Sequence, residues 1–193
     1  ANIKGMRGCH LSTDAQDKYI FVSGYHDGKC TVLRLKEDGS IGEIVDGVYH
    51  KGLGSVAERN FRPHVSCSRR TPDGEYVMVA DLGIDQVKIY RFNEHDEQLT
   101  LVDALRCERE SAPKCFRFSS DGRFIYLLHE LKNVIDVYTY ENGKRQPKIE
   151  KIQSIPTAGE KRSQLTAACS MRFSPDEKHL FCGNAGDNSV SIY

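Results

Sequence analysis

Among the ionisable residues of this 193-residue chain, five are candidates for moving protons or holding anions at one site: Glu130, Lys114, His64, His10 and Arg62. A carboxylate can take a proton from water, or orient it. Imidazoles can pass protons near neutral pH. Ammonium and guanidinium groups can hold a developing or permanent negative charge. No local motif joins the five. The chain shows no metal-ligand spacing, no nucleophile elbow and no phosphate loop. Each residue also has an ordinary explanation. A turn Glu is commonly just solvated, and so is a Lys after a proline at a strand start. A His at a strand start can simply cap backbone groups. If these residues act together, the fold must bring them together.

The elements that would do so are repeated. Tyr76 opens YVMVADLGIDQVKIYRF, two apolar strands joined by a polar turn. Tyr19, Phe124 and His179 open segments of the same design. The outer strands match at fixed offsets: Val32 and Leu33, Ile89 and Tyr90, Val137 and Tyr138, Ile192 and Tyr193. Alternation with Val, Ile and Tyr suits half-buried antiparallel strands, and no stretch keeps a helical period. A further strand precedes each anchor, beginning near Cys9, His64, Lys114 and Cys169. The turn between them carries Asp73-Gly74, Asp121-Gly122, Asp176-Glu177 or Asp14 to Asp17. A last strand follows at Glu43 to Tyr49, Leu99 to Leu105 and Ile149 to Ile155. Four strands in about 50 residues make the blade of a β-propeller.

Residues 1–193 are therefore read as one all-β domain of four-stranded antiparallel blades, with units at about 6–50, 63–106, 113–156 and 167–193. The fourth unit stops at Tyr193, before its last strand. The expectation is about four blades of a larger ring. Completion by a second copy and a four-bladed ring are the alternatives. The insert Lys51 to Arg62 is the longest interruption. In the second unit Ser68, Arg69 and Arg70 occupy places where apolar residues are expected.

Lys+Arg and Asp+Glu are 27 each, so the formal charge is zero. That argues against a broad surface for nucleic acid or anionic membrane. No apolar run approaches the roughly 20 residues that span a bilayer. Seven cysteines without a C-x-x-C read as buried free thiols in a reducing compartment, and so as a cytoplasmic protein. His26 and His129 read as loop residues, and Asp81 and Asp85 as residues that fix the turn.

The segments CHLSTD, RPHVSC, VADLGIDQV, HELKNVIDVY and GNAGDNSVSIY, with KEDGSIGE, resemble the seven-bladed propeller lactonase family. Its bacterial members include 6-phosphogluconolactonases. The resemblance covers nearly the whole chain and matches the middle of a longer family chain. It implies active-site groups at one end of the central channel. The second His of a P-H-x-H element falls on Ser66, and His64 keeps the first. A P-R-H element falls on Lys114 and Cys115. The Glu of N-E-L falls on Glu130. The Arg of N-R-G falls on Ala185, beside Asn184. In the repeat, Ser66 and Lys114 each stand ten residues before their anchors. Leu82, Glu130 and Ala185 each stand six after theirs. Such positions are related by rotation about the propeller axis.

With the resemblance, the candidate catalytic groups are Glu130, Lys114, His64 and His10, and the candidate substrate contacts are Arg62, Ser66 and Asn184, with His10 and Arg62 chosen for their chemistry and not from the family pattern. Glu130 would activate water, Lys114 would steady the oxyanion or a phosphate, and the histidines would shuttle protons. No metal or cofactor is implied. The expected partner is a small sugar lactone, most simply 6-phosphogluconolactone. Self-association is expected if the residues given are the whole chain. Ser66, Cys115 and Ala185 motivate two alternatives. One is a propeller that has lost catalysis and binds a ligand or protein. The other is a lactonase for a substrate without phosphate.

Overall fold

The computed structural model describes residues 2–54, 61–159 and 166–193, and among these it holds strands and turns but no helix. The first sheet is β1 (Gly8–Thr13), β2 (Tyr19–Gly24), β3 (Lys29–Leu35) and β4 (Ile41–Tyr49). The second is β5 (Val65–Arg70), β6 (Tyr76–Asp81), β7 (Gln86–Asn93) and β8 (Gln98–Arg106). The third is β9 (Pro113–Phe118), β10 (Phe124–His129), β11 (Val134–Glu141) and β12 (Lys148–Pro156). The fourth has three strands, β13 (Ala167–Phe173), β14 (Leu180–Ala185) and β15 (Ser189–Ile192). Each is an antiparallel meander whose spatial order follows the chain. The first strands stand side by side, β1 against β5, β5 against β9 and β9 against β13. They form the innermost layer around the axis. Part of the insert, residues 55–60, lies outside the described residues.

One piece of turn chemistry recurs between the first and second strands. Thr71, Ser119 and Ser174 each sit five residues before an anchor. Their hydroxyls accept from the anchor N–H at 3.0 Å and donate to Asp73, Asp121 and Asp176 at 2.6 Å. In the first blade Asp14 does this alone, accepting from the Tyr19 N–H at 2.8 Å. These turns need a left-handed residue, supplied by Asp17, Gly74, Gly122 and Glu177. The hairpins between second and third strands need another, supplied by Gly28, Asp85, Asn133 and Asn188. A Cβ at Gly28 would also lie 2.7 Å from the Pro63 ring, so the first blade has no room for a side chain there.

The core lies between blades. Val65, Val77 and Val79 face Phe21, Cys30 and Val32 across the first interface. Met78, Ile89 and Cys67 face Phe116, Ile125 and Leu127 across the second. Leu128 and Ile135 meet Ala168 and Met171 across the third. Strand alternation sends neighbouring residues to opposite interfaces, so the second and third blades each serve two cores.

Three expectations are corrected. His129 ends β10, fully buried, with Nε2 3.2 Å from Asp136, and is not a loop residue. Of the seven free cysteines, Cys30, Cys67 and Cys182 are buried, Cys107 and Cys115 are partly covered, and Cys9 and Cys169 are exposed. The first strand of the second blade forms over Val65–Arg70 despite its polar residues. Ser68 is buried there, its hydroxyl 2.9 Å from that of Ser23, and Ser12 donates to its carbonyl at 2.7 Å. Arg70 donates to the Gly74 carbonyl and pairs with Glu94 at 2.8 Å.

Phe116 fills the second interface with no exposed surface. Phe116→Ala should cost about 3–5 kcal/mol of stability in urea unfolding. A loss below about 1 kcal/mol would show that the blades do not depend on this packing.

Candidate active site

Every innermost strand carries one extra residue at the same place. Against β2, the partners jump from Gly8 to His10, leaving Cys9 unpaired. Against β6 they jump from Val65 to Cys67, leaving Ser66. Against β10 they jump from Pro113 to Cys115, leaving Lys114. Against β14 they jump from Ala168 to Ser170, leaving Cys169. These are β-bulges, which re-aim a side chain and bend the strand. All four stand ten residues before their anchors. Opposite them, six residues after the anchors, stand Tyr25, Leu82, Glu130 and Ala185, at the ends of the second strands or the turns after them.

The third blade fills both places with charge. Lys114 Nζ donates to Glu130 Oε2 at 2.5 Å, with the Glu130 side chain 6% exposed and that of Lys114 33% exposed. The backbone locks Glu130 in place. Its N–H donates to the Ala112 carbonyl at 2.9 Å, and its carbonyl accepts from Ala168 N–H of the next blade at 3.3 Å. Ser66 joins from the second blade, its hydroxyl donating to the Pro113 carbonyl at 3.1 Å, directly ahead of Lys114. The Cys9 thiol donates to the Val65 carbonyl at 3.4 Å and lies within the field of the Lys114 charge. Bulge residues of three blades thus form one row beside a carboxylate–ammonium pair. Such a pair can activate a water and hold an oxyanion.

His64 is held by a different set of groups. It is buried, and its N–H donates to Asp81 Oδ1 at 2.7 Å. Its Nδ1 lies 2.9 Å from the Tyr25 carbonyl, and its ring stacks on Tyr25 at 4.2 Å. A carbonyl can only accept, so Nδ1 carries the proton and the neutral ring keeps its lone pair on Nε2. That is the tautomer a proton acceptor needs. Asp81 also accepts from Gly83 N–H at 3.0 Å and meets Nδ1 of buried His50 at 2.7 Å. Arg62 is exposed. Its guanidinium lies 5.8 Å from the Phe61 ring, which in turn meets His64 edge-on at 6.1 Å. Arg62 and His64 therefore form a rim group on the second blade.

His10 and Asn184 stand differently from expectation. His10 lies one residue past the Cys9 bulge, with Nε2 3.6 Å from Cys67 Sγ. Burial first, then the charges of Arg69 and Arg172, lower its pKa to about 4. It is a neutral ring at pH 7. Asn184 is buried, and its amide donates to the Thr157 carbonyl at 2.7 Å and to Ser191 Oγ at 3.1 Å. Those donors bind the blade together and are not offered to a ligand. Asn184, Asp81 and His129 share a repeat position, and all three are buried. Alternation turns that position into the blade and the next one, Ala185, Leu82 or Glu130, to the other face. The bulge residues Cys9 and Cys169 and the turn residue Tyr25 were missed as site positions. Counting from the anchors Tyr19 and His179 would have found all three. Among the described residues, no group of three or more His, Cys, Asp or Glu could hold a metal ion.

An imidazole with a lowered folded pKa takes its proton first in the unfolded chain. The contribution of His10 to stability is therefore whole above pH 6.5 and is lost as pH falls toward 4. His50 is lowered too, chiefly by burial, and acts in the same direction. His10→Gln should flatten the loss of stability between pH 7 and pH 5 in urea unfolding. An unchanged slope would contradict the burial of His10 within reach of the Arg69 and Arg172 charges.

The comparisons agree with this architecture. Residues 1–193 fit the family described as "Lactonase, 7-bladed beta-propeller". An uncharacterized protein of Staphylococcus epidermidis is 32% identical over 187 residues, 96% of this chain and 53% of that protein. One of Staphylococcus saprophyticus is 32% identical over 187 residues, 96% of this chain and 52% of its own length. Among solved structures, a periplasmic gluconolactonase of Pseudomonas aeruginosa superposes with a TM-score of 0.87 at 26% identity, covering 97% of this chain and 53% of that one. A Bacteroides fragilis protein, provisionally assigned as a 6-phosphogluconolactonase, gives 0.85 at 30% identity, covering 98% and 53%. The chain spans about half the length of these relatives. With its repeated blades, its row of inner bulges and a match from end to end, the chain belongs to the seven-bladed β-propeller lactonase family.

Proposed function

We propose that the protein hydrolyses a sugar lactone, with 6-phosphogluconolactone as the substrate and 6-phosphogluconate as the product. The observation that carries this is the Lys114–Glu130 pair, set by a bulge and a locked turn in a lactonase-family propeller. In this reading Glu130 takes a proton from water as the water oxygen bonds to the lactone carbonyl carbon. The Lys114 ammonium receives the negative charge that develops on the carbonyl oxygen. The bond from that carbon to the ring oxygen then breaks, and protonated Glu130 gives its proton to the ring oxygen, which leaves as a hydroxyl. His64 supports the reading as a second proton acceptor through Nε2, on the neighbouring blade. The solved neighbours named as lactonases support the reaction class. We place this activity in the oxidative pentose phosphate route of the cytoplasm, which the free thiols support. The partner is the small lactone, with neither nucleic acid nor membrane.

A second reading has its own observation. Ser66 spends its hydroxyl on the Pro113 carbonyl, and Ala185 offers no polar group where the family resemblance implies an Arg. A propeller so altered would bind a ligand or protein without turning it over, or accept a lactone that lacks phosphate.

The readings separate in one assay, loss of 6-phosphogluconolactone above its spontaneous hydrolysis. Glu130→Gln should lower kcat/KM by about 10²–10⁴-fold, the range for a general base. Wild type and variant both matching buffer would overturn the lactonase reading and leave the binding propeller. Loss of unphosphorylated gluconolactone at a higher rate would transfer the activity to that substrate.

A further inference from the structure

Three arginines share one repeat position. Arg69, Arg117 and Arg172 each stand seven residues before an anchor, on β5, β9 and β13. Each is three residues past its bulge. At about 3.3 Å per residue, that is about 10 Å further along the channel than Lys114. Alternation puts them on the same side of their strands as Cys67, Cys115 and Ser170. Arg117 and Arg172 adopt the same pose, each Nη1 donating to the carbonyl of its preceding residue, Phe116 at 2.9 Å and Met171 at 3.1 Å. The Arg172 charge is felt at His10, Cys67 and Cys115, on the innermost strands of the other three blades. Its guanidinium therefore lies within electrostatic reach of the innermost strands of all three other blades.

Other arginines of the chain are paired with carboxylates. Arg34, Arg70 and Arg123 meet Glu97, Glu94 and Asp121 at 2.5, 2.8 and 2.7 Å. Among the described residues, no carboxylate comes within ion-pair distance of Arg69, Arg117 or Arg172. Arg69 Nε is buried without a hydrogen-bond partner. Lys114, by contrast, is engaged by Glu130. Gathering unpaired guanidiniums in a channel costs Coulomb energy that a bound anion would offset. Guanidinium forks also match the oxygens of a phosphate.

We propose that Arg69, Arg117 and Arg172 form an anion site in the central channel, separate from the Lys114–Glu130 pair, that takes a phosphate group. The carrier of that phosphate is the sugar-phosphate lactone or its product, which rests on the proposed function, or free inorganic phosphate, which does not. The site also answers the loss of the expected Arg at Ala185. The charge that would hold a phosphate is relocated down the channel. The bland alternative is three solvated side chains with no ligand.

The test is calorimetric titration of the protein with 6-phosphogluconate, gluconate and inorganic phosphate, with the His10 imidazole followed by NMR. The phosphate-bearing ligands should bind, and gluconate should bind about 10- to 100-fold more weakly. Bound phosphate should raise the His10 pKa above its starting value of about 4, because it offsets the guanidinium charges. Arg117→Gln and Arg172→Gln should each weaken binding about 10- to 100-fold. Arg117→Lys, which keeps the charge, should restore part of it, and unfolding curves should show these variants folded. Tighter binding of 6-phosphogluconate than of inorganic phosphate assigns the site to the substrate, and equal binding assigns it to the free ion. Phosphate binding without lactone hydrolysis would sustain this site and sink the proposed function. No phosphate binding, or binding unchanged in the folded Arg117→Gln and Arg172→Gln proteins, overturns the site.

Discussion

One extra residue in each innermost strand governs the inner surface of this protein. An unbroken ladder would turn Lys114 into a blade interface, as it turns Phe116. The bulge shifts that alternation by one residue, so Val65 ahead of it faces the first interface and Cys67 past it faces the second. Repeating the break four times places Cys9, Ser66, Lys114 and Cys169 in equivalent positions around the axis. Chemistry can then be assembled from distant residues, because rotation about the axis does what a local motif does elsewhere.

The rest of the structure keeps those positions steady. The Ser/Thr–Asp turns fix where each second strand begins, and hence where its partner must bulge. Asp85 accepts from Glu110 and Ala112 N–H at 2.8 Å each, tying the second blade to the start of the third. Asp81 ties His64, Gly83 and His50 together in the same way. Gly83 is needed because a Cβ there would sit 1.7 Å from the Arg62 carbonyl oxygen. Polar groups that look catalytic in the sequence thus serve as joints between blades, and the joints hold the few groups that face the channel.

The blades were legible because their signal is local. Alternating Val, Ile and Tyr, Asp at the turns and fixed offsets from Tyr76 are properties of short windows. Much of the candidate site was also legible, since Lys114 and Glu130 follow from repeat register plus family resemblance, and they meet in space. The bulge itself was not legible, because the extra residue is Cys, Ser, Lys or Cys and carries no mark of its own. Asn184 was read as a substrate contact, although its amide is spent inside the blade, and His129 was read as a loop residue, although it closes a strand. His10 owes its low pKa to burial and to arginines on two other blades, which no window of sequence contains. Arg69 and Arg70 are adjacent and alike in type. Arg70 pairs with Glu94 and lies over the Phe92 ring, while Arg69 Nε is buried with no hydrogen-bond partner.

The claim that the bulges build a binding site is most directly tested by a crystal structure of the protein with 6-phosphogluconate bound. The account predicts the ligand in the central channel, with its C1 carboxylate within about 3.2 Å of Lys114 Nζ, beside Glu130 and the bulge at Ser66. A ligand bound on the outer face of a blade, with the channel empty and the Lys114–Glu130 pair undisturbed, would contradict it.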